Sequence, residues 1–366
     1  MKQAMEVQLI DLSKSFGDTE VVRSVNLTVE KGDFFTFFGP SGCGKRTILR
    51  MIAGFTRPDR GKILFDEIEV NDVPHWERDV GMLFRNCALW PHLSVFDNVA
   101  FGLGERGLSK SIVSERTHHA LAMVNLEGLE KKRPSELSGG QQQKVALART
   151  LVIDPRLLLL DEPLSNADAE LRIQMRQELV RVQRDLGITT ICVTHDQEQA
   201  LTLSTRIAVI SKGDVLQVGT PKEIYENPKS REVADFVGSS NFFIAQVFGK
   251  MGDRIHVKTE DGFLLVVGVE EEMSPAIGSK VLLNIRPESM AVSLSDETKP
   301  EENRIPGTVR TSAYLGSLVQ YEVEVSEGKK VKVNVTNPRK KAFFHEGEKI
   351  FITFSLEDIG SIPLKE

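Results

Sequence analysis

Residues 34–47 restrict the fold more than any other stretch of the chain. Phe34–Phe38 is apolar and strand-sized, and it runs straight into Gly39-Pro40-Ser41-Gly42-Cys43-Gly44-Lys45 and then a helical pattern from about Thr47. A Gly-rich turn between a strand and a helix is the phosphate-cradling loop of an α/β domain. Its glycines let backbone N–H groups turn inward around an anion, and the helix start adds a partial positive charge. Lys45 reaches the β- and γ-phosphates of a nucleotide. Cys43 belongs to that loop rather than to a metal or disulfide pattern. The pattern breaks at the next residue. A Ser or Thr should follow the lysine, because its hydroxyl ligates Mg2+; residue 46 is an arginine. Thr47 is no substitute, since one helical step rotates a side chain by ~100°.

Around this loop, apolar runs alternate with long helical patterns up to about Gly238, the rhythm of an α/β domain with a largely parallel sheet. Leu157–Leu160, Thr190–Val193 and Ile207–Ile210 read as buried strands, and Val215–Val218 follows the last across Lys212-Gly213-Asp214 as a hairpin. Leu171, Met175, Leu179, Val182 and Leu186 recur at helical steps, predicting one helix over Ala169–Leu186. A second helix is expected over Ser109–Val124. After Asn241 short alternating runs take over, among them Val319-Tyr321-Val323-Val325 and Val331-Val333-Val335, as in a small β-barrel. The predicted domains are 1–238, with a helical part at about 86–155, and an all-β domain at 239–366.

Leu157–Leu160 ends in Asp161-Glu162. Strand ends carry such carboxylates to the crevice of an α/β sheet beside the phosphate loop. There Asp161 would hold a metal through water and Glu162 would polarise an attacking water. Shortly before it, Ser138, Gly139 and Gly140 offer a hydroxyl and free N–H groups to a second anion at the start of a helix expected over Gln141–Leu151. Two phosphate-binding helix starts are hard to reconcile with one nucleotide held by one chain.

These runs together resemble the ATP-binding subunits of ABC transporters. The resemblance rests on Gly39–Lys45, Leu83-Phe84-Arg85-Asn86, Leu137–Arg149 (LSGGQQQKVALAR), Leu157–Asp168 (LLLLDEPLSNAD), Val193-Thr194-His195-Asp196 and Gly219–Tyr225, in the family's order and spacing. It implies a dimer in which each ATP lies between one chain's phosphate loop (Gly39, Pro40, Ser41, Gly42, Cys43, Gly44, Lys45, with residues 46 and 47) and the other chain's Ser138–Gln141. It also implies that His195 contacts the γ-phosphate, that Asp168 signals across the dimer and that Phe16 stacks on adenine. Leu283–Glu288, Gly307–Val309 and Tyr314–Ser317 are similar to the OB-like regulatory domain of importer ATPases, with the polyamine and iron(III) importers favoured over those for sugars. The implied partners are a second ATPase subunit, two transmembrane permease subunits and, indirectly, an extracytoplasmic solute-binding protein. The Asn86–Gly104 segment would meet the permease.

The chain departs from that family at the metal. Arg46 replaces the hydroxyl ligand, and Arg85 stands where the family has a Gln that ligates Mg2+; guanidinium groups cannot ligate a cation. Three readings are open: the arginines clamp ATP in place of Mg2+, or the chain binds ATP in an altered geometry and hydrolyses it poorly, or an ordinary ATPase has been inactivated. In the last two the chain would be a hydrolysis-impaired subunit that completes the site of an active partner. Composition narrows the remaining options. With 46 Lys and Arg against 52 Asp and Glu, the net charge of −6 gives no electrostatic pull toward nucleic acid, and the β domain has no basic aromatic face to bind it. No apolar run approaches the ~18 residues of a membrane span. Three cysteines without metal or disulfide spacing suit a reducing compartment. The expectation is a peripheral subunit at the cytoplasmic face of the membrane.

Overall fold

The computed structural model describes residues 3–165, 167–269, 275–294 and 302–364. It divides into two compact units, Met1–Lys222 and Glu223–Glu366.

The first unit contains β1 (Val7–Phe16), β2 (Thr19–Val29), β3 (Phe34–Phe38), α1 (Lys45–Ala53), β4 (Arg60–Phe65), β5 (Ile68–Glu69), β6 (Val80–Leu83), α2 (Val95–Glu105), α3 (Lys110–Met123), α4 (Gly139–Leu151), β7 (Leu157–Asp161), α5 (Ala169–Leu186), β8 (Thr189–Thr194), α6 (Gln197–Leu203), β9 (Arg206–Ser211) and β10 (Asp214–Gly219). A six-stranded sheet in the order β10-β9-β3-β8-β7-β6 forms its centre. All its neighbours pair in parallel except β10, which turns back on β9 through Lys212 and Gly213, both at positive φ. Apolar residues alternate along the strands between two cores. Phe35, Phe37, Leu157, Leu159, Ile191 and Val193 face α1 and the N-terminal strands, whereas Phe34, Leu158, Leu160 and Cys192 face α2–α5. The uninterrupted apolar runs in the sequence are thus strands covered on both faces.

The N-terminal strands form a separate antiparallel sheet, β2-β1-β4-β5, which the expectation of a largely parallel sheet did not contain. The reason is local. The β1–β2 register shifts three times, and Asp11 and Ser24 take positive φ at these bulges. Each bulge breaks the two-residue period by which a strand is recognised. The Asp11 carboxylate stabilises the irregularity by accepting from Ser24 Oγ at 3.0 Å and Asn26 Nδ2 at 2.8 Å.

Helix α5 spans the predicted residues, with Asp168 as N-cap and Gly187 in the left-handed conformation at its end. Two helix starts differ from the sequence reading by two residues. Helix α1 begins at Lys45, and α4 begins at Gly139 with Ser138 as its cap. In both, glycine obscures the onset of helical periodicity.

In the second unit, α7 (Pro221–Glu226, which straddles the division) and α8 (Arg231–Phe236) lead into β11 (Asn241–Met251), β12 (Arg254–Thr259), β13 (Leu264–Gly268), β14 (Lys280–Ile285), β15 (Ala291–Ser293), β16 (Glu302–Tyr314), β17 (Leu318–Ser326), β18 (Lys329–Thr336), β19 (Lys349–Ser355) and β20 (Ile359–Pro363). Two antiparallel five-stranded sheets, β13-β12-β11-β14-β20 and β15-β19-β16-β17-β18, share one apolar core built around Tyr321. Buried Arg286 fastens the helical lead-in to this core. It donates to the carbonyls of Tyr225 (2.9 Å), Ala234 and Ser239 (both 3.2 Å), and its guanidinium lies 4.2 Å from the Tyr225 ring centroid. Burial and the carboxylate of Glu288, to which its hydroxyl donates, push Tyr225 up to about 12.

Candidate functional site

The site follows from which strands are neighbours. In the order β3-β8-β7-β6, Phe38 pairs with Thr194, Asp161 with Val193, and Leu83 with Leu160. The carboxyl ends of four adjacent parallel strands therefore lie at one edge, where an α/β sheet opens its ligand crevice. Phe38 leads into Gly39–Lys45, Asp161 into Glu162, Thr194 into His195, and Leu83 into Phe84 and Arg85.

At the loop, Gly44 caps α1 with φ +104°, and a Cβ there would lie 2.4 Å from the Val21 carbonyl oxygen. Only glycine fits such a position. Lys45 is almost wholly buried, and its Nζ donates to the carbonyls of Gly39 (2.8 Å) and Pro40 (2.7 Å). The ammonium thus closes the loop on itself. Ser41 and Gly42 are exposed, Cys43 is buried, and Thr47 is half-buried on the first turn of the helix.

Both arginines reach the carboxylates. Arg46 Nε donates to Asp161 Oδ1 at 2.9 Å, and its Nη2 lies 3.8 Å from Glu162 Oε1. Arg85 Nη1 lies 3.3 Å from Glu162 Oε2. The hydrogen bond from Arg46 to Asp161 raises the arginine's pKa against the opposing effect of desolvation, so the group stays charged. Glu162 Oε2 is buried and makes no hydrogen bond, so Arg85 balances it by charge at ion-pair distance alone. Glu162 takes φ +46°, a conformation that costs a residue with a Cβ about 1–2 kcal/mol. The parallel sheet holds it there through Glu162 N–H to Val193 O, 3.0 Å. His195 Nδ1 stands 3.5 Å from Glu162 Oε1, with the imidazole about half exposed. Burial and the two carboxylates push the Cys192 thiol far up, which keeps it an inert packing residue.

Three residues whose positioning the sequence did not reveal support this cluster. Arg149 donates to the carbonyls of Cys87 (2.7 Å) and Ala88 (2.9 Å), anchoring the segment just after Arg85, and packs 4.8 Å from the Trp90 ring centroid. Arg172 donates to Ala167 O at 3.1 Å and pairs with Asp196 at 3.5 Å, tying the Asp168 turn to the His195 turn. Gln199 accepts from Thr194 Oγ1 at 2.8 Å beneath His195. Only the first lies within a quoted motif, and the others have a signal only in three dimensions.

The remaining expected residues have partners of their own. Ser138 and Gln141 cap each other, Gln141 N to Ser138 Oγ at 3.3 Å and Ser138 N to Gln141 Oε1 at 3.0 Å, with Gly139 exposed and Gly140 buried. Among the described residues no hydrogen bond joins Ser138–Gln141 to Gly39–Lys45, so this helix start serves the same chain's loop in no visible way. Asp168 caps α5 by accepting from Leu171 N at 2.9 Å. The Phe16 ring is 55% exposed at the end of β1, with Lys14 Nζ 5.6 Å from its centroid.

The residues do not fit a divalent cation. Positions 46 and 85 offer only donors, and Asp161, expected to hold a metal through water, already receives a guanidinium. Among the described residues no group of His, Cys, Asp and Glu side chains is arranged to hold a metal.

Comparison with known proteins accords with this geometry. The ABC transporter family model matches residues 22–165, and the TOBE domain model matches 283–359. The chain is 43% identical over 348 residues to the spermidine/putrescine import ATP-binding protein PotA of Rubrobacter xylanophilus, covering 95% of this chain and 91% of the relative. It is also 43% identical over 345 residues to PotA 1 of Pseudomonas aeruginosa, covering 92% of each. Among solved structures, a dimeric post-hydrolysis state of the ATP-binding cassette MJ0796, bound to ADP and Pi, aligns with TM-score 0.53 at 31% identity, over 59% of this chain and 98% of that one. The cbiO1 protein from Clostridium perfringens, part of the ABC transporter complex cbiONQ, aligns with TM-score 0.57 at 29% identity, over 60% and 89%. Nothing in these likenesses supports the reading as a hydrolysis-impaired subunit. The chain belongs to the ABC transporter family: it is a transport ATPase whose nucleotide-binding domain is followed by a C-terminal TOBE domain.

Proposed function

We propose that this protein is the ATP-driven motor of an importer for small polyamines, acting at the cytoplasmic face of the membrane through permease subunits. The observation that carries this reading is the full-length likeness to spermidine/putrescine import ATP-binding proteins, through the C-terminal domain as well as the ATPase core. It favours the polyamine arm of the sequence expectation over iron(III). Among the described residues no helix is long and apolar enough to cross a membrane, so passage of the solute is left to partner subunits.

At the site, the Gly39–Lys45 N–H groups and the start of α1 take the phosphates, and Lys45 Nζ exchanges its two loop carbonyls for phosphate oxygens. Phe16 offers its exposed ring to the adenine. The second helix start, Ser138–Gln141, serves the ATP of a second copy or a related subunit, which makes ATP the glue of a dimer. Asp168, at the head of α5, communicates across that dimer. For hydrolysis, Glu162 accepts a proton from water as the oxygen attacks the γ-phosphorus, and the bond from that phosphorus to the β–γ bridging oxygen breaks, leaving ADP and phosphate. His195, beside Glu162, holds the water and the γ-phosphate in line. Closure of the dimer on ATP and reopening after hydrolysis drive the permease pair, with the Asn86–Gly104 segment as the contact.

Two measurements test this. Phosphate release by the purified chain should fall by ~10²-fold or more in Glu162→Gln while ATP binding persists. In cells lacking their own polyamine importers, the chain expressed with its permease and binding-protein partners should restore uptake of labelled spermidine. Uptake of iron(III) without spermidine uptake would refute the solute assignment, and unaltered phosphate release in Glu162→Gln would refute the role of Glu162.

A further inference from the structure

Two guanidinium groups, separated by 39 positions in sequence, converge on the same carboxylate pair. Arg46 bonds Asp161 at 2.9 Å and approaches Glu162 to 3.8 Å, while Arg85 approaches the other oxygen of Glu162 to 3.3 Å. The carboxylates are nearly buried, whereas both arginine side chains remain almost half exposed.

The charges are informative. Lys45, Arg46 and Arg85 bring three positive charges against two negative from Asp161 and Glu162, a net of one positive charge facing the loop. With the hydroxyl and amide of the family pattern at positions 46 and 85, the same set carries one net negative charge and needs a divalent cation to reach the same value. The two guanidinium groups supply what one dication supplies, and their planar forks suit phosphate oxygens as well as carboxylates. A dication added to the arginines would meet like charge on both sides and find neither of its usual side-chain ligands.

We propose that this chain binds the triphosphate of ATP without a divalent cation, Arg46 and Arg85 taking the cation's electrostatic place. The proposal rests on reading the loop as an ATP site, and its test separates the two claims. ATP binding to the full chain is measured by calorimetry in excess EDTA and again with saturating Mg2+. The native chain should bind metal-free ATP, and Mg2+ should leave the affinity within ~3-fold or weaken it, a change below about 0.7 kcal/mol. In the Arg46→Ser/Arg85→Gln variant, affinity in EDTA should fall by ~10-fold or more and be recovered by Mg2+. If Mg2+ tightens ATP binding to the native chain by ~10-fold or more, the proposal is overturned while the ATP site stands. If the native chain binds ATP under neither condition, both fail. The native comparison decides the matter even if the double variant does not fold.

Discussion

Asn98 is fully buried in α2 and holds the turn that precedes the helix. Its Nδ2 donates to the carbonyls of Trp90 (3.1 Å), Leu93 (3.3 Å) and Ser94 (2.9 Å), and its Oδ1 accepts from Trp90 N at 2.9 Å. In Asn98→Ala two of these groups keep other partners: Ser94 O still accepts from Asn98 N, and Trp90 O from Leu93 N. The loss is concentrated on Trp90 N–H, left without its acceptor, and on Leu93 O. An abandoned donor costs about 1–3 kcal/mol, and a cavity the size of the lost amide adds about 1 kcal/mol. Partial access of water to the turn places the total at about 2–3 kcal/mol. Hydrogen exchange of the amides from Trp90 to Asn98 should accelerate by ~30- to 150-fold, the equivalent of that energy. Asn98→Asp is the sharper control. It keeps the shape but turns a carboxylate toward three carbonyl oxygens, so it should be less stable than the alanine variant. Exchange within ~2-fold of the native rate in Asn98→Ala, or an aspartate variant more stable than the alanine one, would refute the network as described.

Other outcomes follow from the same structure. Gly44→Ala forces a Cβ to 2.4 Å from the Val21 carbonyl at φ +104°, whereas Gly42→Ala, at φ +82°, meets no atom within 4 Å. The second should cost about 1–2 kcal/mol from backbone strain alone, and the first clearly more, with loss of ATP binding; equal denaturation midpoints would contradict the steric argument. Burial raises the pKa of Asp66, but the Glu6 N–H and the cations of Lys31 and Arg156 outweigh it and leave the carboxyl below its ordinary 3.8. A carboxyl lowered on folding stabilises the fold above its unfolded value, and that contribution disappears as pH falls through the folded one. Asp66→Asn should therefore be less stable than the native chain at neutral pH and lose less stability on acidification below 3.8, as read from denaturation at several pH values.

Much of the site was legible because its pieces are local. The strand Phe34–Phe38 with its glycine loop, the strand ending at Asp161 and Glu162, and α5 from Ala169 to Leu186 each announce themselves by apolar periodicity or turn chemistry within about a dozen residues. The antiparallel sheet at the N-terminus escaped because bulges at Asp11 and Ser24 erase its alternation. The sequence marked Ser138 as a helix start, but did not reveal it as one half of a reciprocal cap with Gln141.

By itself the sequence determined most of the central elements, the order of the motifs and the presence of arginine at positions 46 and 85. Only the tertiary structure decided where the replacing arginines point. Arg46 and Asp161 are 115 positions apart, and they meet because β3, β8, β7 and β6 are neighbours with their carboxyl ends level. Arg172 joins the Asp168 and His195 turns for the same kind of reason. Residue types and spacings limit which backbone conformations are reachable. The pairing of charges across a sheet edge depends on strand order, which is settled when the two apolar cores close on either side of the sheet.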